Sequence, residues 1–357
     1  MTALHIRGTV LPAGEMRDVF AVDGAFTFEH VERAVTVGDG GWLVPGLVDA
    51  HAHLAMASPA AGSSIDEMVR ASAAAHLEAG VLAVREPGSP AGHASADLGA
   101  GFPYTVTAGR FLAPPGRYFP GLAKEVPEAS LPEAATEEAR SGGWVKIVAD
   151  FPNDAGHIAP NWSQAALNDT AAAAHAAGAR ITMHATIPGS IEQAIQAGFD
   201  AIEHGHGATA DHLTAMAAAG IALVPTLLIA DFIRKLADEM PLQPEDRATW
   251  RREVDGHMDA VRTAAEAGVA CYAGTDAGAV DHGLVAHEIA LLRDAGLSGE
   301  AALAAGSWGA RTWLGLPGIE EGAPADLVAF PDDPREDPDV LLRPTLIVLR
   351  GDVIRPR

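Results

Sequence analysis

Between residues 47 and 317 the chain keeps one rhythm: a short run of β-forming residues, then an Ala-rich stretch of helical period, over and over. The β-like runs are GLVDAHAH, VLAVREPG, YTVTAGR, WVKIVAD, RITMHAT, AIEHGHG, IALVPT and VACYAGTDAG, and helical stretches between them include 64–79, 163–178, 188–198, 210–219, 245–268 and 284–295. Eight strands separated by helices predict an α/β architecture, a (β/α)8 TIM barrel over residues 47–317. The two ends read differently. Residues 1–46 carry short strands with turns (ALHIRGTVL, DVFAVDG, AFTFEH, AVTVGDGGWLVPG), and residues 318–357 do likewise (ADLVAFPDD, TLIVLRGDVIRP). Chain termini tend to lie close together on a domain surface, so these segments are expected to join in a small β-sandwich module. A length of 357 residues suits one barrel with such an appendage.

Charge and cysteine narrow the chemistry. A formal net charge of −23 argues against a broad basic face for nucleic acid or an anionic membrane. The single cysteine, Cys271, allows no internal disulfide and no thiolate cluster for a metal. The N-terminal stretch lacks a basic start and an apolar core, and no apolar run is long enough to span a bilayer, so the cytoplasm is the expected compartment. The expected partner is a small molecule; association into homo-oligomers is left open.

In a barrel strand alternate residues face inward, and reactive groups collect at the C-terminal ends. In LVPGLVDAHAHL, Val48, Ala50 and Ala52 face one way, while Asp49, His51 and His53 face the other, into the barrel mouth. In WVKIVAD, Val145, Ile147 and Ala149 suit the helix layer, which leaves Lys146 inside with Asp150. An enclosed ammonium costs several kcal/mol in desolvation unless it is paired, neutral or chemically modified. The fifth strand ends at His184, the sixth at His204 and the eighth at Asp276. Four imidazoles, one carboxylate and one lysine at strand ends form a metal site by ligand type, with nitrogen and oxygen donors suited to zinc or a similar ion.

With those residues in view, the chain resembles the amidohydrolase superfamily, in its imidazolonepropionase-like and prolidase-like branch. VPGLVDAHAHL resembles the strand-one motif, WVKIVAD the lysine strand of members with a carboxylated lysine, and ITMHAT, AGFDAIEHGHG and AGTDAG strands five, six and eight. GAPADLVAF resembles the return into the β-module. The resemblance implies two divalent metals, zinc foremost, with manganese, cobalt or iron as alternatives, and no organic cofactor. His51, His53 and Asp276 would hold the buried ion and His184 and His204 the outer one. Lys146, carboxylated by carbon dioxide, would bridge them. The implied reaction is hydrolysis of a C–N bond in a small amide, N-acyl amino acid or dipeptide-like compound, with Asp276 as proton shuttle. Ring opening of a cyclic amide, deamination, or hydrolysis of a lactone or ester would use the same residues.

Loops after the strands are expected to line the pocket: Arg117 and Tyr118 in APPGRYFPG, His157 in NDAGHIAP, His206, and His282 in AGAVDHG. Arg117 is a candidate fork for a substrate carboxylate. APPGRYFPG departs from the glycine-rich, His-ending loop of many prolidase-like members. His76, His175 and His257 lie within helical stretches and read as packing or solvent-facing residues. Arg85 and Glu86 close strand two, as a candidate buried ion pair supporting the metal shell or as a substrate contact, and 232–240 reads as a lid or a surface helix.

Overall fold

The computed structural model describes residues 3–56 and 63–354. Strands from both chain ends share one hydrogen-bonded sheet of seven, in the order Asp352–Ile354, Leu346–Leu349, Leu327–Phe330, Val35–Pro45, Leu4–Val10, Glu15–Val22, Ala25–Thr27. Leu327–Phe330 joins the two ends by running antiparallel to the last residues of Val35–Pro45, with Val328 opposite Val44. The terminal segments thus share one sheet, where a two-sheet sandwich was anticipated. Ile6, Phe26, Leu43 and Val348, all buried, belong to a hydrophobic cluster separate from the main core.

Val35–Pro45 runs almost without pause into the next strand, Leu47–Asp49. The residue between them is Gly46, where a Cβ would lie 2.5 Å from the Leu82 side chain. Only glycine lets the chain pass that close, which accounts for the Pro-Gly break before the histidine motif.

The middle of the chain carries two parallel sheets. Leu47–Asp49, Val81–Glu86 and Tyr104–Thr107 form one; Phe111–Ala113, Trp144–Val148, Arg180–Ala185, Ala201–His204 and Ala222–Val224 are consecutive neighbours in the other, with Ala123–Glu125 at its edge. The third expected strand, YTVTAGR, is thus extended only over Tyr104–Thr107, and a separate strand, Phe111–Ala113, follows it into the other sheet. Helices occupy the intervals, among them Ile65–Glu78, Gln164–Ala176, Pro188–Ala197 and Ala210–Ala219. Ser64, Ser163 and Thr209 cap three of them through side-chain oxygens, and Leu167, Ala171 and Ala174 show the period that buries one face.

The eighth expected strand, VACYAGTDAG, forms no ladder of its own, but its backbone bonds on both sides. Tyr272 N donates to Leu223 O at 3.0 Å, while Ala50 N donates to Ala273 O at 2.8 Å and His53 N to Ala277 O at 2.7 Å. This segment ties the last strand of the larger sheet to the first of the smaller. After Ala222–Val224 the chain rises into two helices, Ala230–Glu239 and Pro244–Asp255, which pack through Ile233, Ala237, Leu242, Trp250 and Val254. The lid candidate is the first helix of that hairpin.

Candidate metal centre

His51, His53 and His204 are each held by one ring nitrogen and present the other. Nδ1 of His51 donates to Glu203 Oε2 at 2.7 Å, and Nδ1 of His53 to Gly88 O at 2.7 Å. Nδ1 of His204 donates to Thr226 Oγ1 at 2.8 Å, because the Thr226 hydroxyl itself donates to Pro225 O at 2.7 Å. The three Nε2 atoms are thereby left as lone-pair donors, the arrangement that hydrogen-bonded metal ligands adopt.

Those lone pairs converge. The Nε2 atoms of His51 and His53 stand 3.1 Å apart, and Asp276 Oδ1 lies 3.3 Å and 3.0 Å from them. Two nitrogen lone pairs and a carboxylate oxygen this close repel one another unless a cation lies among them. The electrostatics agree. Burial lowers the pKa of His51, yet Asp276 and Glu203 outweigh it and raise the value, so positive charge is favoured at this point. Burial would raise Asp276, but His51 and His53 hold its carboxyl well below the ordinary range. His51, His204 and Asp276 each offer a ligand atom within 4.8 Å of the others. The residues fit a divalent metal with nitrogen and oxygen ligands.

His184 stands beside this group, its ring 4.7 Å from that of His204, and burial lowers its pKa to about 3. Lys146 is 1% exposed, and burial lowers its amine to about 8. Asp150, on the same face of the chain as Lys146, accepts from Thr186 N at 2.8 Å and Thr186 Oγ1 at 2.6 Å.

Backbone geometry places two of these side chains. His204 and Asp276 have φ of 67° and 54°, and Thr226 has 53°. Non-glycine residues in this region cost about 1–3 kcal/mol each and persist only where surroundings enforce them. Asp276 N donates to His51 O at 2.7 Å, and Asp49 accepts from Thr275 N, Thr275 Oγ1 and His51 N, which clamps AGTDAG to the first strand. A Cβ on Gly274 would lie 2.9 Å from His51 N, so the approach requires glycine there.

Glu203 is the residue that strand reading overlooked. The parallel register sets His184 opposite Glu203, so Glu203 and not His204 occupies the inward row; the left-handed turn at His204 brings its ring back to the same side. Glu203 also accepts from Arg85 Nη1 at 2.8 Å and from the Thr182 hydroxyl. The buried partner of Arg85 is therefore Glu203 and not Glu86, whose Oε1 accepts from Leu54 N at 2.9 Å. The guanidinium of Arg85 lies over the Trp144 ring at 4.0 Å. An acidic residue inside the apolar run AIEH was the available signal.

A cavity of about 400 Å³ opens above the floor formed by the histidines, Lys146 and Asp276. Tyr118 and His206 line it, whereas Arg117, His157 and His282 do not. Arg117 Nη2 donates to Phe151 O at 2.8 Å and Ala159 O at 3.0 Å. His157 pairs with Asp246 at 2.8 Å, joining its loop to the helical hairpin. His282 Nδ1 faces His76 Nε2 at 3.2 Å. His206 packs edge-on against His257, which donates to Pro225 O at 2.9 Å and is buried, not solvent-facing.

The sequence model of the amidohydrolase family matches residues 42–354. The chain belongs to that family. As an amidohydrolase it is a hydrolase of C–N bonds. An uncharacterized protein of Mycobacterium tuberculosis is 42% identical to this amidohydrolase over 357 residues, covering 99% of this chain and 96% of that protein. A Xaa-Pro dipeptidase with methionine in its active site has the same fold, with a TM-score of 0.83 at 20% identity over 99% of this chain and 100% of that one. The ochratoxinase of A. niger gives 0.81 at 20% identity, over 99% and 96%. Among the described residues, no helix of this amidohydrolase is long and apolar enough to cross a membrane.

Proposed function

We propose that this protein hydrolyses the C–N bond of a small amide-type substrate at a two-metal centre. His51, His53 and Asp276 would hold one ion and His184 and His204 the other, with a carboxylated Lys146 as a further ligand. The chemistry such cations would supply when bound is a more acidic water and a polarised substrate carbonyl. Asp276 takes a proton from the attacking water and delivers it to the leaving nitrogen as the bond breaks. Burial lowers the Lys146 amine to about 8, which enlarges the neutral fraction that combines with carbon dioxide to give a carbamate and a released proton. Carboxylation would replace a buried cation with an anionic ligand whose desolvation cost the bound cations would offset. The bonds that VACYAGTDAG makes to both parallel sheets support closure into a (β/α)8 barrel over residues 47–317, with the site at its mouth.

One observation carries the reading: three imidazoles with Nδ1 engaged present bare Nε2 atoms at one cavity floor beside Asp276. Elemental analysis of protein prepared with zinc or manganese is expected to return close to two ions per chain. Asp276→Asn is expected to lower turnover at least a hundredfold while most of the metal stays bound. A firm value of one ion removes the bridging carbamate, and near-normal turnover of the variant removes the proton shuttle.

A further inference from the structure

We propose that the pocket selects an uncharged substrate bearing an aromatic or similarly apolar group, and discriminates against one carrying a free carboxylate. This rests on the hydrolase reading above and narrows its substrate.

The cavity separates polar from apolar surface. Its ionisable side chains other than the Tyr118 phenol belong to the floor cluster and its neighbours, Asp150 and His206. One wall is aromatic, made by Phe111, Tyr118, Phe119 and Phe151. The ring of Tyr118 lies 5.5 Å from both Phe111 and Phe151, so this wall is a packed surface and not a set of isolated rings. The facing wall comes from the helical hairpin: Ile229, Phe232, Ile233, Leu236 and Trp250. Phe232 is 39% exposed, an uncovered aromatic on the cavity lining.

What the walls lack decides the charge. Among the described lining residues Lys146 is the only lysine or arginine, and it stands at the floor. Arg117, neighbour of the wall residue Tyr118, has turned to the carbonyls of Phe151 and Ala159. The segment 57–62 after the histidine motif reads ASPAAG and contains no basic residue. Thr186 is engaged with Asp150, Gly278 N with Val280 O, and Ala279 N with Asp276 O, and the donors the walls still offer, the Tyr118 hydroxyl and the unpartnered Trp250 Nε1, carry no charge to match a carboxylate. The floor meets the reacting group, so a carboxylate elsewhere on the substrate would need its own cation on the walls. Burying it unpaired carries a penalty of several kcal/mol, whereas an aromatic ring gains from the same surface. A volume of about 400 Å³ holds a substrate of roughly one ring with a short chain.

The test uses full-length, metal-loaded protein and substrate pairs that differ only by the carboxylate: N-acetyl-2-phenylethylamine against N-acetylphenylalanine, and acetanilide against N-acetyl-4-aminobenzoate. Amine release is expected to give kcat/KM at least tenfold higher for the neutral member of each pair. Phe232→Arg, on an exposed position, supplies the missing cation and should compress that ratio at least threefold. Equal or faster cleavage of the acids by the natural protein overturns the proposal. If no compound is cleaved, the hydrolase reading loses its support, and calorimetric binding of the same pairs decides the pocket separately. Binding at least tenfold tighter for the neutral members then upholds it; equal affinity, tighter acids, or no binding of the neutral compounds overturns it.

Discussion

The imidazole of His51 sits between two carboxylates, Glu203 behind it and Asp276 in front. Glu203 fixes the proton on Nδ1 and is itself held by Arg85, whose charge is spread over the Trp144 face. A chain of this kind sets both the tautomer and the angle of the ligand. In Glu203→Gln one oxygen remains to serve three donors, His51, Arg85 and Thr182. Metal affinity is expected to fall about 10- to 100-fold, as for other residues that orient a metal-binding histidine. Competition against a chelator of known affinity measures it, and an unchanged affinity would show that His51 needs no such anchor. That the four histidines, Lys146 and Asp276 would line one cavity was legible from residue type and strand position. Glu203 was not, because simple alternation gives the inward position to His204, and no sequence pattern announces the φ of 67° that lets both side chains face the site.

At the scale of elements, the helices and most parallel strands could be read from periodicity, since each buries one face against the sheets. One reading met a limit because the backbone follows side-chain demands at the site. VACYAGTDAG has strand-like residues, yet its end bends to meet His51 through Gly274 and Asp276, so it bonds without forming a ladder. The turn after Ala222–Val224 is set by a residue far along the chain. Glu288, on helix Val285–Asp294, accepts from Leu227 N and Leu228 N, both at 2.8 Å, at the base of the helical hairpin. Burial raises its pKa to about 8, against 4.5 for the ordinary carboxyl. The folded protein therefore binds a proton here that the unfolded chain gives up above pH 4.5. That contribution is whole below pH 4.5 and is lost as pH rises through 8. Removing the titration by Glu288→Gln is expected to destabilise the protein at pH 6 and to do so less at pH 8.5. Thermal unfolding of both proteins at the two pH values reads the difference, and a deficit that grows with pH would contradict the assignment.

Across the whole molecule, the ends of the chain and the site are mechanically continuous. Val35–Pro45 pairs with Leu327–Phe330 and leads within a few residues to His51, and Ser307 Oγ donates to Pro45 O at 2.7 Å to hold that junction. That the ends would meet was legible from their shared β-rich composition; their pairing order was not, because it depends on which edge of the Val35–Pro45 strand remains open. The same continuity would make a cation bound there part of the fold's stability. Without it, the Nε2 atoms of His51 and His53 and the Asp276 carboxylate stay crowded within about 3 Å at the junction of the first strand and AGTDAG. A ligand present at a thousand times its Kd, binding only the folded chain, adds about 4 kcal/mol. For a chain of this size that corresponds to a fall in Tm of roughly 5–10 °C on chelation, and a full return on adding zinc. Glu203→Gln, with its weaker affinity, should lose less on chelation than the natural protein does. If chelation leaves both melting temperatures unmoved, the convergence of histidines at the cavity floor is not a cation site.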